Sequence, residues 1–446
     1  MGIVIDFVYL LAAAVISPKV VYRIVRHKRY RSGWGQRFGT IARKKPAKKC
    51  IWLHAVSVGE VNAAKTLIKE LEDKFSDFEI VVSTTTDTGF ARANAIFSEK
   101  FAVFYFPFDF SWVMRRAFRK IRPALCILME LEVWPNFVET ARKLNVPVVV
   151  VNGRISDKSS SRYKMIKPFA KNIFRKVSLV LAQTDEYARR FKELGCQDER
   201  VIVTGSLKYD TAQITDKVEG TDSLAAQLFG NFELRTSNFG LPLWVTGGTG
   251  PGEEKIILDV YKQLTQQKQF SDLCLVIVPR KPERFDEVAE LIKQSGFDLI
   301  RYSRVKKLAT ENTEKSSIVN RQSSIVVLGD TMGDLRKFYS LATVVFVGRS
   351  LVPMGGSDMM EAAALGKCTI FGPHTFNFKQ TVDDLLADEG AIMVKDEQEL
   401  LNAMRKCLTE PNFALKIAQN GQEVIRKNQG ATKKTIEQIA KFLNIA

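Results

Sequence analysis

The sequence predicts an α/β protein of two doubly wound, Rossmann-like units of parallel sheet, and three observations carry that expectation. From residue 50 onward, short apolar runs ending in glycine-containing turns alternate with amphipathic stretches of helical period. The alternation lapses over Thr211–Leu241, a polar segment with Gly220, Gly230 and Gly240, and then resumes. At 446 residues the chain is also long for a single core.

The elements follow in order. Ile3–Ile16 is an apolar run broken by Asp6 and followed by Lys19, Arg23, Arg26, Lys28, Arg29 and Arg31. It is shorter than the roughly 20 residues of a confident membrane span and lacks the basic start and small-residue cleavage site of a secretory signal. An apolar stretch with a basic flank fits an interfacial anchor on anionic lipid; the alternative is a first helix packed on the core. In the first sheet, strands are expected at Cys50–Leu53, Glu79–Ser83, Ala124–Leu128, Val146–Val151, Leu179–Ala182 and Val201–Thr204, with a helix over Glu60–Lys74. A second series is expected at Leu243–Thr246, Leu273–Val278, Ile325–Leu328, Thr343–Val347 and Cys368–Phe371. Residues 304–323 read as a loop, and the tail from Asp396 to Ile445 as helical. The expected division is an anchor over 1–31, a first domain over 32–210, a linker over 211–241, a second domain over 242–420 and a terminal helix over 421–446. Two such units would face a central cleft, with ligands at the carboxyl ends of their strands.

The composition narrows the partners. A formal charge of +17 calls for an anion: nucleic acid, lipid headgroups or a phosphorylated substrate. No helix-turn-helix, RNA-recognition or zinc module is visible, and basic residues concentrate in the first fifty, so nucleic acid is not the expected partner. Three histidines and six scattered cysteines, without a C-x-x-C pair, argue against a zinc site or a disulfide framework and suit a reducing cytoplasm. No D-x-D metal motif stands in a suitable loop, so neither a metal nor a cofactor is expected.

Five segments at strand ends carry candidate chemistry. In His54-Ala-Val-Ser57-Val-Gly59-Glu60, Glu60 suits a general base, or simply an acid in a first helical turn. Glu130 and Glu132 flank Leu131 beside Trp134 and Pro135, as sugar-recognising or solvated acids. Lys208, in Gly205-Ser-Leu-Lys208-Tyr-Asp210, is placed for a phosphate or carboxylate, or is an ordinary surface lysine. Thr246–Lys255 is a glycine loop opening a helix with acids, where N–H groups could meet an anion or merely form a tight turn. In the fifth, Gly355-Gly356 opens a helix bearing Glu361, which suits a nucleotide phosphate at the helix start and a ribose on the acid.

Taken in order these segments resemble the Kdo (3-deoxy-D-manno-octulosonate) transferases of glycosyltransferase family 30. The elements are SVGE (57–60), Y-x-P-x-D (105–109), ME-x-E-x-WPN (129–136), N-x-R-x-S (152–156), GSLK-x-D (205–210), GEEK (252–255), PR-x-x-ERF (279–285), GDTMG-D-L (329–335), GGxxxxE (355–361) and GPHTFNF (372–378). The resemblance implies a GT-B fold, a single N-terminal anchor on the cytoplasmic face of the inner membrane, and inverting transfer of Kdo from CMP-Kdo to a lipid A precursor, lipid IVA. It carries over Glu60 as proton acceptor and Glu130 and Lys208 as transition-state stabilisers. The CMP-binding positions it implies are Pro279, Arg280, Gly333, Asp334, Leu335, Asp358, Met359, Met360 and Glu361. The chain departs from the family at Gly250, Lys281, Ser357 and Asp358, where a histidine, a histidine, a histidine and an asparagine are common, so these positions leave the donor specificity open. Two other readings stay open: a GT-B enzyme or epimerase using a UDP-sugar, and a non-catalytic basic membrane binder.

Overall fold

The computed structural model describes residues 2–27, 32–229, 242–310 and 325–443. They form two compact units, residues 1–211 with 428–446, and residues 212–427. Each is built on a seven-stranded sheet in which every strand pair is parallel.

In the first unit the strands are β1 (Lys49–His54), β2 (Phe78–Thr84), β3 (Ala102–Tyr105), β4 (Leu125–Met129), β5 (Val148–Gly153), β6 (Leu179–Ala182) and β7 (Val201–Val203). Their order is β3-β2-β1-β4-β5-β6-β7. The strands are apolar on both faces because helices cover both faces. In β1, Cys50 and Trp52 join one buried cluster while Ile51 and Leu53 join the other. The chain builds outward from β1 to β3, then returns to start β4 on the other side of β1. The loops after β1 and β4 therefore part, and the crevice between them is where ligands bind in such sheets.

The second unit repeats the plan with β8 (Leu243–Thr249), β9 (Cys274–Pro279), β10 (Asp298–Arg301), β11 (Ile325–Leu328), β12 (Val344–Val347), β13 (Cys368–Phe371) and β14 (Ile392–Met393). Their order is β10-β11-β9-β8-β12-β13-β14, which puts the corresponding crevice between β8 and β12.

Several expectations change. The strands β3, β10 and β14 are short and were not anticipated. Within the expected linker, Thr221–Phe229 is a helix that buries Leu224, Ala225, Leu228 and Phe229 in the second unit; its polar start, Thr221-Asp222-Ser223, leaves too short an apolar stretch to show the period. Residues 230–241 of that expectation lie outside the described residues. The expected loop over 304–323 begins as the helix Tyr302–Thr310, with Tyr302 and Val305 buried, and its remainder from 311 lies outside the described residues. No helix boundary falls at 420/421, because Pro411–Asn428 is one helix. The last helix, Ala431–Phe442, belongs to the first unit: Ile436, Ile439 and Ala440 pack into its core, and the Asp210 carboxylate accepts the N–H groups of Gly430 (2.7 Å) and Thr432. Asp210 of the GSLK-x-D element is thus a helix cap.

The N-terminal run is the helix Gly2–His27, and it is docked rather than separate. Asp6 Oδ1 accepts from Ser111 N (2.8 Å) and Asn136 Nδ2 (2.9 Å), Asp6 Oδ2 accepts from Ser111 Oγ (2.6 Å), and Tyr9 donates to Asp109 Oδ2 (2.9 Å). Asp6 interrupts the apolar run because it closes this polar clamp. Ile5 is buried, whereas Val4, Phe7, Val8, Leu10, Leu11 and Val15 are each more than half exposed. No helix of the described residues is long and apolar enough to cross a membrane.

Candidate active site

The crevice between β1 and β4 collects three carboxylates. Ser57 caps the helix Val58–Lys74 by accepting from Glu60 N (3.4 Å), and Glu60 reaches back: its Oε1 accepts from Ser57 Oγ (2.9 Å) and its Oε2 from Val56 N (2.9 Å). This resembles a capping box, except that Glu60 takes the N–H of Val56, the residue before the cap, so the first-turn reading of Glu60 is realised. Its electrostatics go further. Burial and the negative charge of Glu130 push the Glu60 carboxyl up, the hydrogen bonds from Val56 and Ser57 oppose the rise, Glu132 adds to it, and the outcome is about 7. Desolvation and like charge therefore outweigh the cap, which leaves an acid poised near neutrality.

Glu130 follows β4 with φ of 55°, in the left-handed region that a residue with a Cβ rarely occupies. Its Oε1 lies 3.9 Å from Lys208 Nζ, so these two expected site residues meet. The loop carrying Lys208 is held by Asn152, whose Oδ1 accepts from Leu207 N (3.0 Å). Glu132 accepts from Trp134 Nε1 (2.9 Å), and its carboxyl is raised by burial and by Glu130. His54 stacks on Phe106 with ring centroids 3.9 Å apart, and burial lowers it to about 3. It is neutral, so its 3.9 Å approach to Glu132 is not an ion pair. With Nδ1 donating to Ser83 O at 3.0 Å, Nε2 is left as an acceptor.

Beside these acids lies a cavity of about 640 Å³, lined by Glu130 and Glu132, by Arg154 and Ser156, and by the aromatic rings of Tyr9 and Tyr163. Arg154 and Ser156 stand in the N-x-R-x-S element without a role read for either, and Tyr9 and Tyr163 did not stand out in the sequence, since the cavity joins segments far apart in the chain.

In the second unit the expected donor positions divide. Arg280 follows β9, is exposed, and donates its backbone N–H to Thr249 O (3.1 Å). Glu361 is pushed up to about 6 by burial and by Asp358, against the opposing cations Arg336 and Arg280. These groups share one electrostatic neighbourhood with Tyr339, whose buried hydroxyl has no hydrogen-bond partner among the described residues. Pro279 ends β9 opposite Thr249, and Gly333 stands in open space with φ of 89°. Leu335 opens the helix Leu335–Leu341.

Three of the expected donor side chains are engaged within the fold. Burial raises Asp334, but hydrogen bonds from Lys306 (2.8 Å), Lys337 (2.9 Å) and Thr331 (2.8 Å) outweigh it and hold the group down at about 2. Met359 and Met360 have buried side chains, and Met360 N donates to Asp358 Oδ1 (2.9 Å). The glycine loop also differs from expectation as an anion cradle. Glu253 fills it, accepting from the N–H groups of Gly250 (3.0 Å), Ser350 (2.7 Å), Leu351 (2.9 Å) and Arg349. Glu254 is fully buried against Arg284, with contacts of 2.6 and 3.2 Å. The acids of GEEK thus join the β8 and β12 loops and fix the ERF arginine.

Two of the four departures, Gly250 and Ser357, have local reasons. A Cβ on Gly250 would lie 2.6 Å from Met354 Sδ, so a side chain there requires Met354 to move. Ser357 Oγ donates to Gly248 O (2.8 Å), tying the glycine loop to the segment after β12. Among the described residues, no group of three or more His, Cys, Asp or Glu side chains is arranged to hold a metal ion.

Residues 32–211 match the family described as 3-deoxy-D-manno-octulosonic-acid transferase (kdotransferase). A 3-deoxy-D-manno-octulosonic acid transferase of Haemophilus influenzae is 32% identical over 444 residues, spanning 98% of each chain. The chain belongs to the Kdo transferase family. A Bordetella pertussis transferase of the same name is 29% identical over 98% of this chain and 99% of its own. The UDP-GlcNAc 2-epimerase of Neisseria meningitidis, at 13% identity, superimposes with a TM-score of 0.54 over 88% of this chain and 100% of its own, a likeness of fold. The family member is accordingly a glycosyltransferase enzyme of two-sheet α/β architecture, which removes the non-catalytic binder from consideration.

Proposed function

We propose that this transferase moves Kdo from CMP-Kdo onto a hydroxyl of a lipid A precursor, lipid IVA, with inversion. The observation that carries the reading is Glu60, a carboxyl near neutrality with two further acids beside it and Lys208 close by. Glu60 takes the proton of the acceptor hydroxyl as its oxygen bonds to the anomeric carbon of Kdo. The bond from that carbon to the CMP phosphate oxygen breaks, and CMP leaves with the electron pair. Glu130 stabilises the positive charge that develops on the sugar, and Lys208, 3.9 Å from Glu130, holds that carboxylate in place.

The donor nucleotide is assigned to the second unit, with Arg280 facing phosphate and Glu361 accepting from ribose. Pro279, Gly333, Leu335 and the backbone around Asp358, Met359 and Met360 supply shape and N–H groups, and Asp334 orders the loop through its lysines. A UDP-sugar donor is the competing reading. The docked N-terminal helix, with its exposed Phe7, Leu10 and Leu11, is assigned to the anionic cytoplasmic surface of the inner membrane. The deciding experiment incubates the purified protein with CMP-Kdo and lipid A precursor and separates the products by thin-layer chromatography. A Kdo-bearing lipid supports the assignment; turnover of a UDP-sugar without use of CMP-Kdo overturns it.

A further inference from the structure

Arg154 is a half-buried cation in the wall of the 640 Å³ cavity, and among the described residues it makes no hydrogen bond or ion pair. Its setting makes that unusual. Nearby Arg190 is held by Asp157, by Glu186 and by the Ile155 carbonyl. The two carboxylates that share the cavity with Arg154 have other partners, Glu130 with Lys208 at 3.9 Å and Glu132 with Trp134 at 2.9 Å. Arg154 is also placed firmly. It follows Gly153 at the end of β5, where a side chain would meet Phe191 at 2.9 Å, so the strand is pressed against its neighbours up to the residue before it.

The remaining lining has two characters. Ser156, which caps the helix Asp157–Met165, and Ser159 add hydroxyls and the positive end of that helix next to Arg154. Opposite in chemistry are Tyr9, Val133, Tyr163, Phe169, Ile173 and Phe174. Phe169 is also 40% exposed, and Met165 and Ile166, shortly before it in sequence, are exposed as well, so the apolar lining continues onto the surface. A cavity with an unpaired guanidinium, flanking hydroxyls and an apolar wall open to the surface suits an amphiphile that carries an anion.

We infer that this cavity receives the acceptor, with Arg154 binding its phosphate and the aromatic wall receiving the first part of an acyl chain. The inference rests on the reading given above, in which Glu60 of the first unit takes the acceptor's proton and the nucleotide sits on the second unit. Arg154 is then a specificity-determining residue: it separates phosphorylated from unphosphorylated lipid. The N-terminal helix contributes Tyr9 to the same wall, which makes it part of the acceptor site as well as a surface element.

The test is a binding titration in detergent micelles without donor, followed by the fluorescence of Trp134 and its fellow tryptophans. The probes are lipid A precursor and the same lipid after phosphatase treatment. Wild type should prefer the phosphorylated form by about 10- to 100-fold, the scale of one charged hydrogen-bonded pair. Arg154→Ala should bind both forms alike, at the wild-type affinity for the dephosphorylated lipid, and Arg154→Lys should recover part of the preference. In turnover, the loss should fall on KM for the acceptor and not on KM for CMP-Kdo. The inference is overturned if wild type shows no preference, if a folded Arg154→Ala keeps it, or if KM for CMP-Kdo rises instead, which would assign Arg154 to the donor carboxylate. Because the titration needs no turnover, a protein that binds as expected but transfers no Kdo would refute the proposed reaction and leave this site standing.

Discussion

Replacing Glu60 by Gln should slow transfer steeply and, at the same time, stabilise the protein at alkaline pH. Gln keeps the size of the side chain and an oxygen to accept from Val56 N, which lies 2.9 Å from Glu60 Oε2, but it cannot take a proton. Loss of a general base costs about 10²–10⁴-fold in rate, or about 3–5 kcal/mol of transition-state stabilisation. The stability effect follows from the same burial. Glu60 titrates at about 7 in the folded chain against 4.5 ordinarily, so between these values the native state binds more protons than the unfolded state. Stability therefore falls as pH rises from 4.5 to about 7. The penalty, absent below 4.5, reaches about 3 kcal/mol above 7 at most. Gln removes the buried charge, so the variant should melt higher than wild type at pH 8 and much like it near pH 4. The assays are single-turnover transfer from CMP-Kdo and paired thermal melts across pH. Wild-type turnover should fall about tenfold per pH unit below 7, a limb the residual activity of the variant should lack. Near-normal turnover in a folded Glu60→Gln, or an unchanged acid limb, would make Glu60 a helix-capping residue only.

The remaining expectations can be checked in parallel. Arg280→Ala and Glu361→Ala should each weaken CMP binding in calorimetry by about tenfold while leaving lipid binding unaltered, as each removes one charged contact. Wild-type affinity in both would remove the nucleotide from this crevice. Exchanging the exposed Phe7, Leu10 and Leu11 for Gln should move the protein from the membrane to the soluble fraction without lowering its melting temperature, since none of the three is buried. Continued sedimentation with membranes at high salt would place the attachment elsewhere. Glu254→Ala should cost about 3 kcal/mol in chemical denaturation, because it strips the buried partner of Arg284. A loss below about 1 kcal/mol would show that Glu287, which holds the same guanidinium at 2.8 Å, suffices.

Two kinds of information separate cleanly in this chain. The doubly wound plan, the strands that carry the core and the acids at their ends were legible in the sequence. Parallel strands buried on both faces are written as apolar runs such as Val148–Val151, and strand ends are marked by local turn chemistry such as Ser57-Val-Gly-Glu60. What local pattern could not decide was which polar residues the fold consumes. Asp334, Glu253, Glu254 and Asp210 look as functional as Glu60 in sequence, yet each is held by partners from 3 to 222 positions away. Asp6 looked like a flaw in an anchor until Ser111 and Asn136 closed on it. The return of the last helix to the first unit, the raised pKa of Glu60 and the unpaired Arg154 are likewise tertiary facts. Each depends on burial and on charges brought together from distant segments, and desolvation and long-range pairing leave no periodic trace in the chain.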